Sequence, residues 1–338
     1  MRAWRIEDAF GLSNLRLTER PEPEPGRSEV AIRVRAVSLN FRDLMMVRGT
    51  YNPRQPLPLV PCSDGVGEVV ATGDAVTRVQ VGDRVAGIFA QRWLEGEPTI
   101  PKLRSTLGGP HDGMLAEQVV LHEDGVVHVP AHLSDEEAAT LPCAAVTAWN
   151  ALVVRGHVTA GDVVLVQGTG GVAIFALQIG RLLGARVIVT SSSDDKLARA
   201  AELGADGGIN YRSDPEWGKR ARAMAGGEGV DLVVEVGGAD TLAQSLRAIR
   251  PGGTVAIIGV LSGTETAMEL TRVLMNVARL QGIMVGSRAS FEAMNRAIAH
   301  HGMRPVVDRV FEIERAPEAF EHLASGAHFG KVCIRVAG

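Results

Sequence analysis

Four apolar residues, Val163-Val164-Leu165-Val166, run into Gln167-Gly168-Thr169-Gly170-Gly171-Val172-Ala173. Residues of these types in this order suit a pyrophosphate. Gly168 permits a tight turn, Gly170 lets the backbone come close to the anion, and Thr169, Gly171 and Val172 complete the loop. A helix beginning there turns unpartnered N–H groups toward the same charge. Ala173 stands where a third small residue lets helix pack on strand. A plain strand–turn–helix unit also uses glycines. The order of strand, turn and an unbroken helical pattern to Leu183 favours the nucleotide reading.

About twenty residues on, NAD-binding proteins of this kind carry a carboxylate for the ribose 2′-hydroxyl. Ser191 stands at that place, followed by Ser192 and Ser193, and Lys196 adds a cation one helical turn later. Hydroxyls and an ammonium accept a 2′-phosphate that a carboxylate would repel, which points to NADPH. The plainer account has Ser193 or Asp194 capping the next helix, with Lys196 solvated in its first turn. Asp194 and Asp195 keep NAD as the alternative.

The elements that must hold these groups come in two kinds. The first ~130 residues read as short strands around 30–34, 65–73, 79–87, 115–121 and 126–129, separated by Gly, Asp and Pro, as in a barrel-like β domain. From Val163 the pattern alternates: strand 163–166, helix 172–183, strand 186–190, helix 196–203, strand 231–236, helix 241–249, strand 254–259. That is the order of a doubly wound parallel sheet, an α/β fold. The tail from about Ser287 is mixed and ends in a strand, 331–335, read as returning to the first domain.

With 338 residues the chain is long enough for two domains, and 22% charged with 46% apolar residues is the composition of a soluble globular protein. A formal net charge of −4 argues against a nucleic-acid surface. The charged N-terminal segment does not read as a signal peptide, and no uncharged apolar run reaches the ~18 residues of a membrane span. Cys62, Cys143 and Cys333 are too scattered for a disulfide framework and fit a reducing, cytoplasmic setting.

Five segments together make the sequence similar to the medium-chain dehydrogenase/reductase superfamily, and within it to the zinc-free quinone oxidoreductase-like branch. They are Ser38-Leu39-Asn40-Phe41-Arg42-Asp43, Val81-Gly82-Asp83-Arg84-Val85, 141–149 (Leu141-Pro142-Cys143 through Trp149), the glycine loop, and Gly330-Lys331-Val332. The resemblance implies a GroES-like catalytic domain over 1–125 and 286–338, a Rossmann domain over 126–285 binding NADP(H), and a cleft between them. Of the Cys, His and Cys that bind catalytic zinc in the alcohol dehydrogenases of the superfamily, it implies Asn40 and Ser63 at the first two places and Cys143 at the third. One thiolate cannot hold Zn²⁺, and residues 88–118 contain no cysteine for a structural zinc lobe, so no metal is expected. His111 and His122 read as isolated loop histidines.

By the same resemblance, Gly49-Thr50-Tyr51 matches a Gly-x-Tyr segment whose phenol donates a proton in some reductases, which makes Tyr51 the candidate acid. The alternative is a surface tyrosine packed on Pro53 and Pro56. Asn40 becomes a polar contact to nicotinamide or substrate, or a turn residue, and Thr147 lies against the nicotinamide. Asn210-Tyr211 matches a pair that meets the 2′-phosphate, Gly237 ends a strand at the ligand edge, and Gly259-Val260 with Gly286-Ser287 meet the carboxamide. Lys331 approaches the pyrophosphate. Arg42, Arg48 and Arg54 form a cluster that either holds an acyl-CoA or is simply solvated. The expected activity is NADPH-dependent reduction of an activated C=C, a quinone or a carbonyl. A zinc-type alcohol dehydrogenase and a nucleotide-binding protein without turnover are the alternatives. The partners expected are a small-molecule substrate and a second copy, paired through a sheet edge at Ile283-Met284-Val285.

Overall fold

The computed structural model describes residues 1–336. Seven strands come first: β1 (Arg2–Ile6), β2 (Leu15–Glu19), β3 (Glu29–Leu39), β4 (Asp64–Thr72), β5 (Arg84–Gly87), β6 (Gln118–His122) and β7 (Val126–His128). Then follow β8 (Val163–Gln167), β9 (Arg186–Ser191), β10 (Gly207–Asn210), β11 (Val230–Glu235), β12 (Ile249–Ile257) and β13 (Arg279–Gly282), and finally β14 (Val307–Glu312) and β15 (Lys331–Arg335). The chain divides into two compact units: Met1–Val146 with the stretch from Gly286 onward, and Thr147–Val285.

In the first unit β1 and β2 pair with each other, and a seven-stranded sheet runs β14-β15-β3-β4-β5-β7, with β6 also on β3. All pairings in that sheet are antiparallel except β14 with β15. Val30, Ile32, Val34, Val37, Val69, Val85 and Val332 meet in one core under it. Apolar side chains from distant strands are thus held together by burial rather than by local preference. The expected strand over 79–87 is confined to β5. Gly82 takes φ 94, and the Asp83 carboxylate accepts from Gln80 N at 2.9 Å, so the chain turns there first. Residues 126–146, expected in the Rossmann domain, belong to this unit and not to the second, because β7 pairs with β5 and the helix Asp135–Ala139 packs on β3 and β4.

The second unit is a six-stranded parallel sheet in the order β10-β9-β8-β11-β12-β13. The strand order reverses beside β8, which is where ligands bind in such sheets. All five residues of β8 are buried, as a strand covered on both faces requires. The sequence does not disclose β10 or the helix Trp217–Met224: Gly207-Gly208 interrupts the apolar pattern, and four residues are too few to read. One of the two edge strands is β13. Ile283 and Val285, expected to form it, are buried beyond its end, and Val285 turns with φ 42. Among the described residues, no helix is long and apolar enough to cross a membrane.

Candidate active site

In the first unit three strand ends bring a buried polar cluster together. Asn40 follows β3 and opens the helix Phe41–Val47, Ser63 and Asp64 stand at the start of β4, and Lys331 begins β15, one residue before the Val332–Leu39 pair. Lys331 Nζ donates to Leu39 O (2.7 Å) and to Asn40 Oδ1 (2.5 Å). Asn40 Nδ2 leans on Ser63 Oγ at 3.4 Å, Ser63 Oγ donates to Asp64 Oδ1 at 2.7 Å, and Cys143 N donates to Asp64 Oδ2 at 3.1 Å. Asp64 and Ser63 are fully buried and Lys331 is 3% exposed. Burial, with the neighbouring Asp43 charge, pushes the Asp64 carboxyl up to about 6, against the pull of the Lys331 ammonium and of the hydrogen bond from Ser63. Lys331 is therefore a member of the Asn40 cluster. Its ammonium hydrogen-bonds there instead of standing free for a pyrophosphate.

A second carboxylate, Asp43, frames the same loop ends. It accepts from Asn40 N at 2.8 Å and from Ser63 N at 3.3 Å. Arg42 pairs with it at 3.3 Å and donates to the carbonyls of Leu107 (2.8 Å), Gly108 (3.3 Å) and Gly109 (3.2 Å). The guanidinium is 8% exposed and committed to the protein, so it takes no part in holding an acyl-CoA. Its carbon lies 4.9 Å from the centre of the Tyr51 ring, a cation–π contact. Tyr51 packs on Arg42 and is 40% exposed. Cys62, just before Ser63, holds φ 72 with its side chain buried. Such a conformation is costly for a residue with a Cβ and persists where the surroundings impose it.

In the second unit the glycine loop joins β8 to the helix Gly171–Leu182. Gly168 has φ 76, and nothing lies within 4 Å of where its Cβ would be. That is open backbone at the end of the strand. Gly170 opens the helix without a side-chain cap, and the first bond made inside it is Ile174 N to Gly170 O. The N–H groups of Gly171, Val172 and Ala173 thus remain for an anion. Thr169 is buried at the turn.

β9 and β10 pair Ser191 with Asn210, and Tyr211 N donates to Ser191 O at 3.1 Å, so the two predicted 2′-phosphate segments adjoin. Ser191 is buried and accepts from Ser193 N, while Ser193 caps the next helix by accepting from Lys196 N. Ser192 lies between them, and Tyr211 is 43% exposed. Asn210 Nδ2 donates to Asp194 at 2.8 Å, which draws that carboxylate onto the Asn210 side chain. Both backbone groups of Gly237 are occupied: its N–H by Glu235 and Gln167, its carbonyl by Ser262. Gly259 and Val260 follow β12, with Val260 44% exposed. Thr147 is buried in a short helix flanked by wider π turns. Gly286 and Ser287 fall in the first unit, where Ser287 Oγ caps the helix Arg288–His301.

Sequence reasoning missed Asp64 and another fully buried acid, Glu235 at the end of β11. It accepts from Gln167 Nε2 (2.7 Å), Thr241 Oγ1 (2.5 Å), Gly237 N (2.9 Å), Gly238 N (3.0 Å) and Ser245 Oγ. It fixes the turn beyond β11 from below. A carboxylate breaking the apolar run Leu232-Val233-Val234 was the available signal.

Two family models match the chain, one described as an alcohol dehydrogenase GroES-like domain over residues 26–131, the other as a zinc-binding dehydrogenase over 171–300. A zinc-type alcohol dehydrogenase-like protein of Schizosaccharomyces pombe is 41% identical, over 98% of this chain and 97% of its own. The chain belongs to the medium-chain dehydrogenase/reductase superfamily. It is an oxidoreductase. A solved NAD-dependent alcohol dehydrogenase superimposes on this member with a TM-score of 0.92 at 36% identity, covering all of both chains. A 2-octenoyl-CoA carboxylase reductase, solved with NADP and 2-octenoyl-CoA, does so at 0.88 and 27%, over 99% of this chain and 87% of its own.

The zinc in the second family description has no fitting donors here. Asn40 Oδ1 accepts from the Lys331 ammonium, Ser63 Oγ donates to Asp64, and Cys143 is the single thiol of the three, short of the N and S donors a zinc site uses. Among the described residues, no three His, Cys, Asp or Glu side chains converge as a ligand set. His122 ends β6 with Nδ1 accepting from Asp124 N, and His111 lies on the loop before β6.

Proposed function

We propose that this superfamily member is a zinc-independent reductase that carries hydride from NADPH to an activated C=C (enone, enal or enoyl thioester), a quinone or a carbonyl. The line Lys331–Asn40–Ser63–Asp64 carries this reading. Where zinc-type relatives hold their metal, this chain has a closed hydrogen-bond chain with a cation of its own. The cofactor, when bound, supplies the hydride. The protein has to bind it, orient the acceptor, stabilise the charge that develops and deliver a proton. Free helix N–H groups at Gly171 and Val172 suit the pyrophosphate. Ser191, Ser192, Lys196 and Tyr211 suit the 2′-phosphate, and Thr147, Gly259 and Val260 the nicotinamide. Asn40 donates from Nδ2 to the reacting oxygen, and the Tyr51 phenol gives the proton.

A homodimer belongs to the same proposal. The edge strand β13 leaves one row of backbone groups unpaired, and beside it Leu270, Leu274, Met275 and Val277 are each about 70% exposed. Such a surface is costly to leave in water and suits a second copy.

The test is to follow consumption of NADPH against a panel of enones, quinones, enoyl-CoAs and aldehydes, before and after exhaustive chelation. Turnover of one class that survives chelation is the expected result. Activity lost with stoichiometric zinc and restored by it would refute the zinc-independent reading. Binding of NADPH without turnover of any class would favour a protein that only holds the nucleotide.

A further inference from the structure

We propose that Lys331 is a positioning residue for Asn40: the ammonium dictates which edge of the Asn40 amide faces a ligand. The inference rests on the reading of Asn40 as a contact to the reacting oxygen.

An amide can present either its oxygen or its NH₂ group, and the two are nearly isosteric. Here the choice is forced. Lys331 Nζ has three hydrogens and no acceptor site, so the atom 2.5 Å from it must be Oδ1. The NH₂ edge then faces Ser63, whose hydroxyl is itself oriented because it donates to Asp64 at 2.7 Å. Donation runs in one direction from an ammonium to a carboxylate, and neither end can reverse it while Asp64 is ionised. The Ser63 contact is long at 3.4 Å, which leaves Nδ2 with donor capacity for a ligand oxygen. A second anchor, Leu39 O at 2.7 Å, ties Nζ to the end of β3, immediately before Asn40. The ammonium is thus fixed to the same strand end whose side chain it orients. Lys331 does this at 3% exposure, where a cation is costly unless its hydrogens are satisfied.

Four proteins test the proposal: the parent, Asn40→Ala, Lys331→Met and the double variant. Each is assayed for kcat and KM with the best acceptor of the panel, and for NADPH dissociation by cofactor fluorescence. Protein labelled with ¹⁵N-asparagine gives a readout independent of activity, the exchange rate of the Asn40 side-chain hydrogens, identified as the pair missing from Asn40→Ala. Lys331→Met should lower kcat by at least about tenfold, as expected when a transition-state donor is misaligned. NADPH affinity should stay within about threefold, and the Asn40 hydrogens should exchange at least about tenfold faster. In the Asn40→Ala background the Lys331 change should add little, because the two act as one unit.

Multiplicative losses, or unchanged exchange, would overturn the proposal. So would weaker NADPH binding at unchanged kcat, which would assign Lys331 to the cofactor phosphates. Asn40→Ala with kcat within twofold of the parent would instead remove the underlying reading of Asn40. Should Lys331→Met fail to fold, Lys331→Gln, one atom shorter and uncharged, is judged by the same criteria.

Discussion

Replacing Asp64 by Asn should change how stability depends on pH, and the size of the change follows from burial. The carboxyl titrates at about 6 in the folded protein, pushed up by burial, and at about 3.9 when unfolded. A raised folded value means that the folded state binds the proton more tightly. Stability from this group is therefore fully present below about pH 3.9 and lost as pH rises through about 6. Two units correspond to about 3 kcal/mol in all, of which about 2 kcal/mol falls between about pH 4.5 and 7.5. Carboxylates held below their usual range, such as Glu123 by Thr77 N and Asp83 by Gln80 N, act at lower pH and in the opposite sense. They and the histidines are common to both proteins and cancel in the difference. With Trp149 and Trp217 changed to Phe, emission from Trp4 and Trp93 reports urea unfolding of the unit that contains Asp64. The expected result is that parent stability minus Asp64→Asn stability falls by about 2 kcal/mol across that window, on top of any constant offset from altered hydrogen bonds. A difference flat in pH would refute the account of a buried, partly neutral carboxyl.

Tyr51→Phe should lower kcat by ~10²–10³ with little change in NADPH affinity if the phenol serves the reacting oxygen. At saturating substrate, with hydride transfer limiting, a kcat within twofold of the parent would remove it. Lys196→Ala should weaken NADPH at least about tenfold and leave NADH unchanged, since a charge-assisted bond to a phosphate contributes about 1.5–3 kcal/mol. Equal losses for the two cofactors would place Lys196 elsewhere. The parent should have a dimer's mass in light scattering at micromolar concentration. Leu274→Glu, which buries a charge in the proposed apolar contact, should give a monomer, and an unchanged mass would exclude that face.

The nucleotide unit was legible because its signals are local. An apolar strand, a glycine turn and a helix stand within twenty residues, and their geometry follows from those residues alone. The first unit was legible only as short strands, since its pairing partners lie far apart along the chain. The active-site candidates divide the same way. Gly168 and Gly170 could be assigned from their neighbours, but Lys331 could not be given its place beside Asn40 without the antiparallel register of β15 on β3. Arg42 read as a possible surface cation because charge alone does not tell whether backbone carbonyls await it. Three do, those of Leu107, Gly108 and Gly109. The sheet edge lies a few residues before the expected segment because Ile283-Met284-Val285 is more apolar than Arg279-Leu280-Gln281-Gly282. The more apolar segment is the buried one.

The bond from Lys331 to Asn40 joins residues 291 apart, and the whole nucleotide unit lies between them. On a ribosome, β3 and β4 emerge long before β15, so Asp64 and Asn40 must wait without their cation while the inserted unit is made. That unit is continuous and can close as soon as β13 is out, whereas the first unit cannot complete its sheet until its last strand arrives. Synthesis therefore assembles this chain from the inside outward, and the inserted unit can be complete before the cluster around Asn40 exists. A slow stretch of codons after β13 would lengthen the life of a species whose inserted unit is closed while the sheet around it is still missing β14 and β15.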